Sequence, residues 1–119
     1  MTARWYLVKY VRDMRRNEPR NIGVILEVDD KAYPRFEESI GPSERTNYAA
    51  WLNYWRHLLT QPDWRATLAN RRPGANYYIE PGGERLAGQI SDPEAFADWL
   101  FDTLVLPPGS MFVSKEPPP

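Results

Sequence analysis

Residues 6–28, YLVKYVRDMRRNEPRNIGVILEV, read as strand, charged loop, strand, and that order decides the fold class. Over residues 5–11 the chain alternates, with Trp5, Leu7, Lys9 and Val11 on one face and Tyr6, Val8 and Tyr10 on the other. Successive strand side chains point to opposite sides, and β-branched and aromatic residues suit a pleated surface. Residues 12–19 break the pattern with charge, an Asn and a Pro. It resumes over 21–28, with Ile22, Val24, Leu26 and Val28 on one face and Gly23, Ile25 and Glu27 on the other. Two such runs predict an antiparallel hairpin with a long loop. Gly23 within the second run marks a bulge or a close approach by other backbone.

Working outward, Asp29-Asp30 is a turn signal and residues 31–36 return as a third strand, which Pro34 assigns to a sheet edge. Ser43 is the expected N-cap of a helix over 43–60, whose stripe is Tyr48, Trp51, Leu52, Trp55, Leu58 and Leu59. Thr60, followed by Pro62 and Asp63, reads as the cap of a short helix through Trp64 and Leu68. Residues 76–80 form a strand, Pro81-Gly82-Gly83 a turn, and 84–90 a paired strand or extended segment. With Ser91 as the cap and a carboxylate three residues on, Ser91-Asp92-Pro93-Glu94 opens a last helix over 93–105, which buries Phe96, Trp99, Leu100 and Leu104. The expectation is one α+β domain over 1–107, an antiparallel sheet led by the N-terminal hairpin with helices packed on one face. An extended Pro-rich tail occupies 108–119.

Composition narrows the function classes. The 119 residues include five Trp, seven Tyr and four Phe, and no Cys. Disulfides, thiolate catalysis and Cys-type zinc sites are therefore excluded. No apolar run is long enough to span a membrane, and the charged N-terminal stretch is unlike a secretory signal, so a cytoplasmic chain without a membrane partner is expected. Net charge is −1, but residues 1–36 hold eight Lys/Arg against five Asp/Glu. The remainder holds seven against eleven, so the basic excess gathers around the hairpin loop.

The hairpin resembles the start of a bacterial family catalogued as domain of unknown function 3037. The resemblance is carried by Tyr10-Val11, Glu18 and Asn21-Ile22-Gly23-Val24, where the family has a strand ending in Tyr-Val, a loop Glu and an Asn-hydrophobic-Gly-Val strand. Arg12 and Pro19 depart from the family pattern, which has a Pro and an aromatic or aliphatic residue there. The order from Tyr77-Tyr78-Ile79 through SDPEAFADWLFDTLV and the overall length are also similar. The family has no established activity, and its members are often encoded beside HipA-like kinases. The resemblance thus implies an accessory protein whose partner is a kinase-like neighbour.

The residues that can carry chemistry cluster in the loop. Arg12, Arg15, Arg16, Glu18, Arg20 and Asn21 form a candidate partner- or phosphate-binding site, since guanidinium forks match oxyanions. Arg71 and Arg72 join them if the loops converge. The same arginines can instead pair locally with Asp13 and Glu18 in a solvated loop. Asn21 and Glu18 suit loop-fixing hydrogen bonds or part of a site at the strand ends. Trp64 and Trp5 are the tryptophans expected at the surface, and Trp64 is a candidate partner anchor. His57, the single histidine, reads as a surface residue. Asp98 and Asp102 share a helix face and read as its solvated side rather than a metal site.

The expected function is non-catalytic, a protein-interaction module with no cofactor and no metal. The alternative is a nucleic-acid-binding protein that uses the loop arginines with Tyr6, Tyr10 or Tyr78 as stacking rings. A third reading is a phosphoryl-handling or hydrolytic enzyme using Glu18, Asn21 and Arg20.

Overall fold

The alternating hairpin forms the centre of the sheet. A computed structural model describes residues 2–11, 19–37, 45–68 and 77–105. β1 (Thr2–Val11) pairs antiparallel with β2 (Pro19–Val28), and β2 pairs antiparallel with β3 (Lys31–Phe36). β4 (Tyr77–Leu86) pairs with the other side of β1, so the order is β3-β2-β1-β4. Three helices complete this α+β fold: α1 (Arg45–Leu58), α2 (Trp64–Leu68) and α3 (Pro93–Leu104). Among the described residues no helix is long and apolar enough to cross a membrane. The 108–119 tail lies outside the described residues.

Asp29 and Asp30 both adopt positive φ, 52° and 67°, between the paired residues Val28 and Lys31. Two left-handed residues make the primed turn whose twist matches the flanking strands, and Asp tolerates that conformation. At the other end of β2, Val8 pairs with Gly23 but Lys9 pairs with Asn21, leaving Ile22 as the extra residue of a bulge. The bulge that Gly23 announces corrects the expected faces. Ile22 joins Val8 and Ile25 in one cluster, while Val24, Leu26 and Val28 join Ala3 in the other. A Cβ on Gly23 would lie 2.3 Å from a Phe36 ring carbon, so glycine leaves the room that this ring fills.

Helices cover both faces, not the single face expected. α1, the turn after it and α2 bring Tyr48, Leu52, Trp55, Leu59 and Trp64 onto Val8, Ile22, Ile25 and Ile79. α3 brings Phe96, Ala97 and Leu100 onto Ala3, Val24, Leu26 and Val28 on the opposite face. The reason lies in β2, which is buried on both sides from Ile22 to Val28 and so needs two covers. Each fully buried large apolar side chain contributes roughly 1.5–3 kcal/mol.

Three local expectations are also revised. Pro81-Gly82-Gly83 is not a turn but the middle of β4, where Trp5 pairs with Gly83 and Tyr6 with Pro81, leaving Gly82 as a bulge. A Cβ on Gly82 or Gly83 would lie 2.6 or 2.5 Å from the Trp5 indole, so the glycines accommodate that ring. Pro81 is tolerated because β4 is an edge strand, as is Pro34 in β3. The cap of α3 is Asp92, which accepts from the Ala95 N–H at 3.2 Å, rather than Ser91; Pro93 follows in the first turn. Thr60 does not cap α2 but donates its hydroxyl back to the His57 carbonyl at 2.6 Å, closing the end of α1.

Candidate binding site at the root of the hairpin loop

β2 emerges from the loop at Arg20 and Asn21, and both side chains are anchored. Arg20 forms an ion pair with Glu37, the residue that follows β3. Asn21 donates from Nδ2 to the Leu104 carbonyl oxygen at the end of α3, 2.9 Å away. The Ile22 bulge makes the second contact possible. It shifts the alternation so that Asn21 reaches the α3 face while Ile22 and Gly23 serve the other.

Glu37 is the junction. Its N–H donates to the Ile22 carbonyl at 2.8 Å and its own carbonyl accepts the Tyr48 hydroxyl from α1. Its side chain is 19% exposed against 49% for Arg20. Burial pushes the Glu37 carboxyl above the usual glutamate value, with the Arg20 charge and hydrogen bond pulling the other way. Oε1 faces Arg20, whereas Oε2 is buried with no hydrogen-bond partner among the described residues, as are the indole N–H groups of Trp51 and Trp55.

Aromatic rings pack beside this junction. Trp51 stacks on Tyr77 with centroids 4.2 Å apart and planes 7° from parallel, and Tyr77 meets Tyr10 at 5.2 Å. Phe36 meets Trp51 edge-on at 5.8 Å. Tyr6, Tyr10 and Tyr77 thus pack on the α1 side of the core.

Of the candidate residues, the structure brings Arg20 and Asn21 to one end of the sheet. Arg12, Arg15, Arg16 and Glu18 lie outside the described residues, as do Arg71 and Arg72. Trp64 is corrected: at 5% exposure it is a core residue packed under α2, not a surface anchor. Trp5 is half-buried over Gly82 and Gly83. His57 is exposed. Asp98 faces solvent on one side but accepts from Arg35 Nε at 2.7 Å, and Glu94 takes another nitrogen of the same guanidinium. Among the described residues no cluster of three or more His, Asp or Glu can hold a metal.

Two groups were missed. Glu37 could have been found by counting outward from the Asp29-Asp30 turn, which sets Glu37 opposite Ile22 and diagonal to Arg20. Arg65 of α2 bridges Glu27, buried within the sheet, and Asp30 of the turn. With Thr2, Arg4 and Asp29 these three line a cleft of about 250 Å³ at the far end of the sheet. Its single positive charge is shared between the two carboxylates, and the Asp30 hydrogen bond, then Glu27, holds the guanidinium firmly protonated.

No family model, curated protein or solved structure matches the chain.

Proposed function

We propose that the chain is a non-catalytic accessory module that binds a protein partner through its 12–20 loop. The observation that supports this most is the bracing of the loop's exit. Arg20 is tied to the end of β3 and Asn21 to the end of α3, and the loop joins the two central strands of the sheet. A segment carried on a rigid base loses less freedom on binding than one on a loose base, which favours affinity. Arginines in such a loop suit a partner surface that carries carboxylates or phosphates. On the resemblance described above, a kinase-like protein encoded next to this chain is the candidate partner.

Nucleic acid has weaker support. One of the rings expected to stack on bases, Tyr10, is engaged with Tyr77, which in turn stacks on Trp51. The net charge of −1 supplies no general attraction to phosphate backbones.

The test is affinity capture of the tagged full chain from its native cell, at low and high salt, beside an Arg15→Ala/Arg16→Ala variant. The expected result is a kinase-like neighbour retained by the wild type and lost by the variant, with unchanged thermal unfolding. Recovery of the chain alone, or of nucleic acid whose retention falls steeply with salt, overturns the proposal.

A further inference from the structure

Bracing the loop requires only one oxygen of Glu37, yet the second is sealed in without a donor among the described residues. Oε1 meets the Arg20 guanidinium, while Oε2 is buried and has no hydrogen-bond partner among the described residues. A buried acceptor left unsatisfied carries its full desolvation penalty, more so when it shares a charge. An amine or guanidinium from a partner is too large to reach a sealed atom. A proton is not, and it removes the charge that makes this burial unfavourable. It also weakens the hold on Arg20, because the attraction between opposite charges is lost when the carboxylate is protonated.

We propose that Glu37 is a proton-operated latch for Arg20. Ionised, it holds the guanidinium against the end of β3; protonated, it frees that positive charge. The root changes from a neutral ion pair to a cation while its backbone stays closed. The Glu37 N–H to Ile22 carbonyl bond, the Tyr48 hydroxyl on the Glu37 carbonyl and the Asn21 bond to Leu104 all use groups that do not titrate with Glu37. Among the described residues, Arg20 from β2 is the charge facing Glu37 and Tyr48 is the titratable group that α1 brings to it. The upward shift of the Glu37 carboxyl, burial outweighing Arg20, agrees with this geometry. The latch does not depend on what the loop binds.

The experiment is an NMR titration of the full chain, following the Glu37 carboxyl carbon and the Arg20 Nε–H together. The expected result is a Glu37 midpoint above that of a glutamate in an unstructured peptide, with the Arg20 resonance moving at the same midpoint. In Glu37→Gln the Arg20 resonance should stay near the wild-type acid-end position throughout. In Arg20→Ala the Glu37 midpoint should rise further, since the cation that lowers it is gone. A wild-type midpoint at or below the peptide value, or an Arg20 resonance that ignores it, overturns the proposal; the wild-type measurement stands even if a variant does not fold.

Discussion

Asn21 and Leu104, 83 positions apart, are joined by a hydrogen bond from the Asn21 side chain to the Leu104 carbonyl. It links the first residues after the hairpin loop to the end of α3, the helix that closes one face of the sheet. The last carbonyls of a helix have no partner within the helix, and the last turn of α3 carries no basic residue to serve them. Asn21 takes that place, and the Ile22 bulge is what aims it there. An Asn at the head of a strand therefore acts on the end of a helix far away in sequence.

Asn21→Ala should destabilise the chain by about 1 kcal/mol, the usual net worth of such a bond, seen as a lower urea midpoint at unchanged slope. Asn21→Asp should be worse, because it replaces a donor with an anion beside the negative end of α3. An Asp variant as stable as wild type would remove the helix-end role.

Gly23→Ala should destabilise by roughly 1–3 kcal/mol, the range for overpacking a filled site. The added methyl would sit 2.3 Å from Phe36 Cδ1 and 3.1 Å from the Arg35 carbonyl. Combining it with Phe36→Leu should recover part of the loss, a coupling readable in a double-mutant cycle by denaturant unfolding. Strict additivity of the two changes would show that the ring is not the obstacle.

That glycine also shows what could be read without coordinates. Gly23 inside an alternating run announces a bulge, and the Asp-Asp turn and Pro34 assign β3 its ends and its edge position. These signals are local: alternation, turn conformation and the missing N–H of proline. Hidden from such a reading were relations set by tertiary partners. Pro81-Gly82-Gly83 has turn composition, and only its pairing with Trp5 and Tyr6 of β1 makes it a strand. Arg35 reaches Glu94 and Asp98 across about sixty positions, which no spacing rule anticipates. At the loop root, Arg20 and Asn21 were legible as candidates, whereas Glu37 required the register of the β2–β3 hairpin.

Trp64→Ala should cost about 3–5 kcal/mol, as for other buried tryptophans. The ring packs in the same cluster as Trp55, Leu59 and Ile25, with the Arg65 guanidinium over it at 5.3 Å. Loss of partner capture by this variant should then track loss of fold, measured by near-UV circular dichroism and the urea midpoint. A Trp64→Ala chain that stays fully folded but loses its partner would restore Trp64 as a contact residue.

The last prediction concerns pH and follows from the raised Glu37 carboxyl. A carboxyl whose folded midpoint lies above its unfolded one binds more protons in the folded chain across the interval between them. Stability then falls as pH rises through that interval, the reverse of an ion-paired carboxylate whose midpoint is depressed. The Glu37 contribution is therefore fully present below the ordinary glutamate value, about 4.3. It declines upward from there and is lost above the folded midpoint. Glu37→Gln keeps the shape and removes the charge, so its thermal midpoint should gain on wild type as pH rises through the interval and hold a constant advantage above it. A melting series of both chains at fixed ionic strength reads this difference, in which the titration of every other shared carboxylate largely cancels. A Gln variant that instead falls behind wild type with rising pH would mean that the Arg20 pair outweighs burial and that the carboxyl is held down, not up.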